Sequence, residues 1–269
     1  MKQLLGSELA GFIKERQAKQ VRQLVQQHNV HPVLAIITAS NNPTIATYIN
    51  LKKKYGADIG VTVQEYSVTD SDIVSTINSL NKDNSIHGVI VQLPLAEGMD
   101  TEAVVSAVSP QKDVDGLAPG SLFDAATPMA INWLLSGYNI ELKGKQICIV
   151  GYGRLVGAPL QKLWQNSGLD PVVVDVDTKD KEDTIANADI IVTAVGKPSL
   201  ITSQLVKHGA IVVDAGVASE KGVLKGDVSE DVYTRDDITI TPKKGGVGPL
   251  TVCALFDNVI RAAYEVSTK

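Results

Sequence analysis

The sequence predicts an α/β protein of two domains, each a parallel sheet covered by helices. Three observations predict it. Helical and strand periodicities alternate along the chain, a polar, turn-prone stretch interrupts that alternation near the middle before it resumes, and 269 residues suffice for two separate cores.

The first series opens at Ser7–Gln27, where Leu9, Phe12, Ile13, Val21, Leu24 and Val25 recur at helical spacing, followed by a β-branched run at 33–37. Asn42-Pro43 reads as a helix start, with Asn able to cap free N–H groups and Pro pre-set for the first turn; the helix should run to about Tyr55 and stop at Gly56. Strands are expected at 61–66 and 88–93, separated by a helix over 71–82 whose Ile73, Ile77 and Leu80 share a face. Two short helical stretches should flank the polar segment Pro110-Gln111-Lys112-Asp113-Val114-Asp115-Gly116. From Thr127 a helix is expected to about Ser136. The second series then has strands at 146–150, 171–176, 190–194, 210–214 and 238–241, with a helix over 156–167. The boundary between domains falls near residues 117–142. A last amphipathic helix, 250–266, carries Val252, Leu255, Phe256, Val259 and Ile260.

Composition narrows the class of function. With 44% hydrophobic and 20% charged residues and a mean hydropathy of +0.06, the chain is expected to pack as a globular protein. A net charge of −5 and a pI near 5.4 argue against nucleic acid as partner, because binding a phosphate backbone needs a basic face. Cys148 and Cys253 read as buried thiols in a reducing compartment. The N-terminal residues offer no signal-peptide apolar region, and no apolar run reaches membrane-spanning length, so the cytoplasm is expected.

One glycine-rich loop stands out. The run 147–150 leads directly into Gly151-Tyr152-Gly153-Arg154-Leu155-Val156-Gly157, which opens a helix. In that strand–turn–helix context Gly151 allows the tight turn, Gly153 lets backbone N–H groups approach a pyrophosphate, and the helix N-terminus adds a positive partial charge. Gly157 falls one residue later than in the G-x-G-x-x-G pattern, and an ordinary strand-to-helix turn is the plain alternative. Just over twenty residues on, Asp175 and Asp177 place carboxylates where an adenosine ribose would lie. A carboxylate there accepts hydrogen bonds from the ribose diol and repels a 2′-phosphate, which favours NAD over NADP. Arg154 and Lys179 keep NADP open, since either could reach a phosphate.

A second group of residues lies in the first half. Tyr48 and Lys52 are four apart on the expected helix and project from one face. A Lys stem lying over a Tyr ring on a solvated surface would be the bland explanation. Gln92, however, ends the 88–91 strand, where loops of open α/β sheets build ligand crevices, and Asp115 lies in the polar loop beyond it.

Four segments together resemble the bifunctional methylenetetrahydrofolate dehydrogenase/methenyltetrahydrofolate cyclohydrolase family: 48–52 (Tyr48 to Lys52), 87–95 (His87-Gly88-Val89-Ile90-Val91-Gln92-Leu93-Pro94-Leu95), 112–116, and Gly245-Gly246-Val247-Gly248-Pro249-Leu250-Thr251, in the family's order and over essentially the whole chain. The resemblance implies an N-terminal folate-binding domain, residues 1–120 completed by the helix 250–269, and a Rossmann-type NAD or NADP domain over 121–249, the two separated by a cleft in a homodimer. It implies one-carbon metabolism supplying purine biosynthesis, with tetrahydrofolate derivatives as ligands. Lys52 would be the cyclohydrolase centre, Gln92 and Asp115 would tune and orient it, and Tyr48 would stack on the aminobenzoate part of the folate. The segment 245–251, with Gly246 and Pro249, would form a backbone-rich turn against cofactor and pterin; Gly196, in Thr193-Ala194-Val195-Gly196-Lys197-Pro198, would border the nicotinamide.

Methenyltetrahydrofolate is cationic, so water attack on its one-carbon bridge needs proton removal and later delivery to a ring nitrogen, which a Lys of lowered pKa can perform. Hydride transfer from the methylene bridge needs mainly positioning.

The sequence departs from the family in places. Where the family usually carries Gly-Arg-Ser at the cofactor loop, this chain has Gly151, Tyr152 and Gly153, and a His-Ser-Arg-Thr-like stretch is Asp175-Val176-Asp177-Thr178. Both changes point toward NAD. The usual Pro-Ala-Ser and Pro-Cys-Thr-Pro segments are Pro43-Thr44-Ile45 and Ala125-Ala126-Thr127-Pro128. Two other functions remain open: a monofunctional NAD-dependent methylenetetrahydrofolate dehydrogenase, and a folate- or nucleotide-binding protein that has lost catalysis.

Overall fold

The computed structural model describes residues 2–39, 42–175, 177–220 and 223–267. In chain order its elements are β1 (Lys2–Gln3), α1 (Gly6–His28), β2 (Val33–Thr38), α2 (Pro43–Ile59), β3 (Thr62–Ser67), α3 (Ile73–Lys82), β4 (Gly88–Val91), α4 (Thr101–Ser106) and α5 (Ala126–Gly137). There follow β5 (Ile147–Val150), α6 (Gly157–Asn166), β6 (Val172–Val174), α7 (Lys181–Asn187), β7 (Ile190–Thr193), β8 (Ile211–Asp214), β9 (Ala218–Glu220), β10 (Val223–Lys225), β11 (Thr239–Ile240) and α8 (Val247–Ser267). The described residues of Met1–Ala10 and Thr127–Thr251 form one compact unit; those of Gly11–Ala126 and Val252–Lys269 form the other.

The unit containing Lys52 is built on a parallel sheet of order β3-β2-β4. Its centre, β2, is buried at all six positions, as expected of a parallel strand covered on both faces. Ala35 and Ile37 pack with Val89 and Val91 of β4 and with Ile73, Ile77 and Leu80 of α3. The i, i+4, i+7 spacing of those three α3 residues lays one apolar stripe on the sheet.

The other unit carries a six-stranded sheet of order β1-β11-β8-β7-β5-β6, parallel throughout. From β5 the chain moves outward to β6 on one side and then to β7 on the other. That reversal is a topological switch point, and in open α/β sheets ligands bind in the crevice outside the carboxyl ends of the strands there. Val150, at the end of β5, stands in register with Thr193 on β7 and Val174 on β6, so the loops after these strands start side by side.

Several expectations need correction. The helix α2 does not stop at Gly56 but continues to Ile59, with Gly60 at φ +85° supplying the left-handed stop. Gly56 is a packing glycine: a Cβ there would lie 2.6 Å from Val63 Cγ2 and 2.9 Å from the Val61 carbonyl oxygen. No helix directly follows the 110–116 segment; its backbone turns on side chains instead, and the next helix is α5. The last helix starts at Val247, not Leu250, so Gly248 to Thr251 are its first turns and not an irregular loop. The strand expected over 171–176 spans Val172–Val174, and Val176 lies outside the described residues. Sequence periodicity also gave no sign of β1, α7 or the β9–β10 hairpin; β1 and the hairpin strands are two or three residues long, too short for a period to register.

Cys148 and Cys253 are both buried thiols, not joined in a disulfide. Among the described residues, no helix is long and apolar enough to cross a membrane.

Helix propensity alone would make Gly56→Ala stabilising by about 1 kcal/mol. The contacts at 2.6 and 2.9 Å reverse the sign: overpacking of this kind costs about 1–3 kcal/mol. Urea unfolding should show Gly56→Ala less stable than the parent, and a raised midpoint would refute the packing account.

Candidate active site

Four of the residues singled out in the sequence belong to one unit, and the fold brings three of them into direct or electrostatic contact. Lys52 lies midway along α2, one turn beyond Tyr48, and both are half-buried. Gln92 follows β4 directly, tied to the sheet by its backbone N–H donating to the Ile37 carbonyl at 2.8 Å. Lys52 Nζ donates to Gln92 Oε1 at 2.7 Å, and Gln92 Nε2 donates to the Leu93 carbonyl at 3.0 Å. The second bond fixes the amide so that its oxygen, not its nitrogen, faces the amine. The Leu93–Pro94 peptide is cis.

Asp115 reaches the same region through a loop anchored at several points. Val89 N–H on β4 donates to the Lys112 carbonyl at 2.7 Å. Gly88 makes room for this: a Cβ there would meet Val114 Cγ2 at 2.8 Å. Lys112 Nζ donates to the carbonyls of Leu80 and Asp83 at the end of α3. Asn258 of α8, fully buried, donates through Nδ2 to the carbonyls of Val114 and Asp124, both at 2.9 Å, closing the neck of the loop.

Burial at this centre works against the charged forms of both groups. Burial lowers the pKa of Lys52 below 10.5, and the Asp115 carboxylate opposes that shift. Burial likewise raises Asp115 above the usual carboxylate range, with Lys52 acting against it. Desolvation therefore exceeds the mutual attraction for both partners, the usual outcome when an ion pair leaves water without enough compensating hydrogen bonds. Asp113 is buried too and is pushed up to about 6, chiefly by desolvation, against the Ala118 N–H that donates to its Oδ2 at 2.8 Å. An amine held partly desolvated, with one N–H directed to a fixed carbonyl oxygen, can accept a proton and return it.

The other unit assembles the glycine loop. Gly151 follows β5 with φ +97°, a conformation L side chains avoid, and a Cβ there would meet Val195 Cγ2 at 2.8 Å. A Cβ on Gly157, the first residue of α6, would collide with the Gly151 carbonyl. Gly153 has nothing within 4 Å of its Cβ position, so space above its backbone is open. Tyr152 and Arg154 are exposed, Tyr152 at 53%. Val156 is the N-cap of α6 and offers no side-chain cap to its amides. These features fit a pyrophosphate: a bare, accessible backbone stretch leading to a helix N-terminus. Asp175 and Asp177 are exposed just beyond the end of β6, where Asp175 N–H donates to Thr178 Oγ1 at 2.8 Å. Gly196, at φ +78°, follows β7; Gly246 is buried immediately before α8, and Pro249 is half-buried in the first turn of that helix.

Three site-building residues escaped the sequence reading. Asn258 had a signal, since it is a polar residue on the apolar face of the last helix, in step with Leu255 and Ala262. Asp214 ends the strand expected over 210–214, but nothing in the sequence marks it or Asp227 as building a site. Asp227 is fully buried and accepts from Thr193 Oγ1 at 2.7 Å, Val195 N–H at 2.8 Å and Lys197 N–H at 2.7 Å.

Comparison with known proteins agrees with this layout. Residues 4–115 match the model of the tetrahydrofolate dehydrogenase/cyclohydrolase catalytic domain, and residues 125–267 match that of the tetrahydrofolate dehydrogenase/cyclohydrolase NAD(P)-binding domain. The bifunctional protein FolD of Nautilia profundicola is 36% identical over 272 residues, covering 96% of this chain and 95% of its own. Among solved structures, the bifunctional enzyme FolD, a methylenetetrahydrofolate dehydrogenase/cyclohydrolase from Campylobacter jejuni, superposes with a TM-score of 0.92 at 32% identity, covering 98% of this chain and 99% of its own. The Trypanosoma brucei methylenetetrahydrofolate dehydrogenase-cyclohydrolase, complexed with NADP and an inhibitor, gives 0.89 at 28% identity, covering 97% and 96% respectively. With both domain models matched in order along nearly its whole length, the chain belongs to the tetrahydrofolate dehydrogenase/cyclohydrolase family.

Proposed function

We propose that the protein oxidises 5,10-methylenetetrahydrofolate to 5,10-methenyltetrahydrofolate with a nicotinamide dinucleotide and hydrolyses the product to 10-formyltetrahydrofolate, using Lys52 as the acid–base group of the hydrolysis. The hydrogen bond from Lys52 Nζ to Gln92 Oε1 carries this reading. A Lys whose pKa is lowered by burial gives up its proton more readily than an ordinary one, and in its neutral form it offers a lone pair to the attacking water without adding positive charge beside a cationic substrate. Water attacks the one-carbon bridge of methenyltetrahydrofolate while Lys52 takes its proton. The bond from that carbon to the ring nitrogen then breaks, the ammonium returns the proton to the nitrogen as it leaves, and the hydroxyl proton left on the carbon passes to solvent water as the formyl C=O forms. Gln92 directs the amine, Asp115 steadies the transient ammonium, and Tyr48, one turn away on α2, stacks on the aminobenzoate.

The dinucleotide, when bound, supplies the hydride acceptor. Gly151, Tyr152, Gly153, Arg154, Val156 and Gly157 hold its pyrophosphate, Gly196 and Gly246 line its nicotinamide end, and Pro249 borders the folate. Backbone donors and positioning are the protein's main contribution to that step. Asp175 and Asp177 make NAD the preferred form, since a 2′-phosphate would meet two exposed carboxylates. On the same reading the enzyme works in the cytoplasm as a homodimer, which sedimentation of the purified protein tests.

A monofunctional dehydrogenase would have no need of the Lys52–Gln92–Asp115 arrangement, which disfavours that alternative.

Replacing Lys52 with Ala should lower cyclohydrolase turnover by about 10²–10⁴-fold, the range of general acid–base catalysis. Retained turnover would remove Lys52 from its role. The wild-type cyclohydrolase rate should rise with pH and level off below pH 10.5 as Lys52 loses its proton. Asp115 raises the Lys52 pKa, so Asp115→Asn should move that limb to lower pH; a shift to higher pH would contradict the assignment. In steady-state assays kcat/KM should be higher with NAD than with NADP, and Asp177→Arg should cut the NAD:NADP ratio about tenfold, equivalent to about 1.4 kcal/mol. A wild-type preference for NADP would sink the reading of Asp175 and Asp177.

A further inference from the structure

We infer that Asp227 is a positioning residue for the dinucleotide, acting through the 193–197 loop that it holds at the carboxyl end of β7. This rests on the proposed placement of the dinucleotide at the switch point between β5 and β7. The loops after these strands are adjacent: Val150 is in register with Thr193, and the Ala194 N–H donates to the Val150 carbonyl at 2.9 Å. The 193–197 loop therefore faces the glycine loop from the next strand, and its Val195 side chain is what a Cβ on Gly151 would strike.

One residue, Asp227, holds this loop at several points. Both Asp227 carboxylate oxygens are used, Oδ2 by Thr193 Oγ1 and Val195 N–H, Oδ1 by Lys197 N–H. Its carbonyl accepts from the N–H groups of Leu200 and Ile201 at 2.8 and 3.1 Å. Between these anchors lie Gly196 at φ +78° and Ser199 at φ +60°, so the loop takes a shape that local preferences alone would not select. Asp227 is itself held by a second carboxylate, the half-buried Asp214: its Oδ1 accepts from the N–H groups of Asp227 and Gly216 at 3.0 Å, and its Oδ2 accepts from Val228 N–H at 3.1 Å. Bare backbone at Gly216 and Gly226 gives the two carboxylates their space, since a Cβ on either would collide with Asp227 or Asp214 respectively. A surface loop with no ligand to hold would not need a buried carboxylate satisfied by three donors, because burying that charge costs free energy that only the fixed geometry returns.

The test uses the chain's two activities, because the hydrolysis assigned to Lys52 needs no dinucleotide. Asp227→Asn puts an amide N–H₂ where an acceptor stood, and at least one loop N–H loses its partner. Thr193→Val removes one donor with little change in shape, and Thr193→Ser keeps it. For Asp227→Asn the expected result is a rise of about tenfold or more in the dinucleotide Kd and KM, with the cyclohydrolase kcat and KM within about twofold of wild type. Thr193→Val should show a smaller rise that Thr193→Ser does not. Should Asp227→Asn fail to fold, losing both activities together, the Thr193 pair decides the matter. An unchanged dinucleotide Kd in Thr193→Val or in a folded Asp227→Asn, whatever the effect on melting temperature, would overturn the inference. Wild-type protein that binds neither NAD nor NADP would overturn instead the cofactor reading on which it rests.

Discussion

The proposed hydrolysis depends on the environment of one amine. Lys52 is held on α2 with its pKa lowered by desolvation, and the hydrogen bond to Gln92 fixes where its nitrogen points. Neither feature suffices alone. A lowered pKa without the Gln92 acceptor would leave a mobile amine, and the hydrogen bond without desolvation would orient an amine of ordinary basicity. Much of the surrounding architecture serves that balance: the fully buried β2 backs the strand from which Gln92 emerges, and bare Gly88 lets the loop bearing Asp115 lie against β4.

The other unit solves a different physical problem with the same materials. A pyrophosphate is held by exposed backbone donors and not by a buried side chain, and the loop proposed for it accordingly carries glycines in place of titratable groups. Gly151 and Gly157 are required by backbone geometry, whereas Gly153 leaves open space. Family membership accounts for the presence of such a loop, and its local substitutions account for its individuality. Tyr152 is exposed in that loop, and Asp175 and Asp177 are exposed beyond β6.

Much of this was legible in the sequence, for identifiable reasons. The two α/β series showed because β2, β5 and β7 are continuous apolar runs and α3 has a clean stripe. Lys52, Gln92 and Asp115 showed because they sit in long motifs. What escaped was tertiary. Gly56 reads as a helix stop by propensity, yet it is there because β3 passes too close for a Cβ. The pair Lys2–Gln3 is too short for any period, and its pairing with β11 exists only in the folded sheet. Asp214 and Asp227 are thirteen residues apart with no local pattern, and their shared network appears only when three loops converge.

The most direct test of the central claim is a titration of the Lys52 amine in the resting enzyme, followed by NMR with a labelled lysine side chain and assigned by comparison with Lys52→Ala. The account predicts a single titration with its midpoint below 10.5. A midpoint at or above that value would contradict it, because desolvation would then not be what sets the basicity of Lys52.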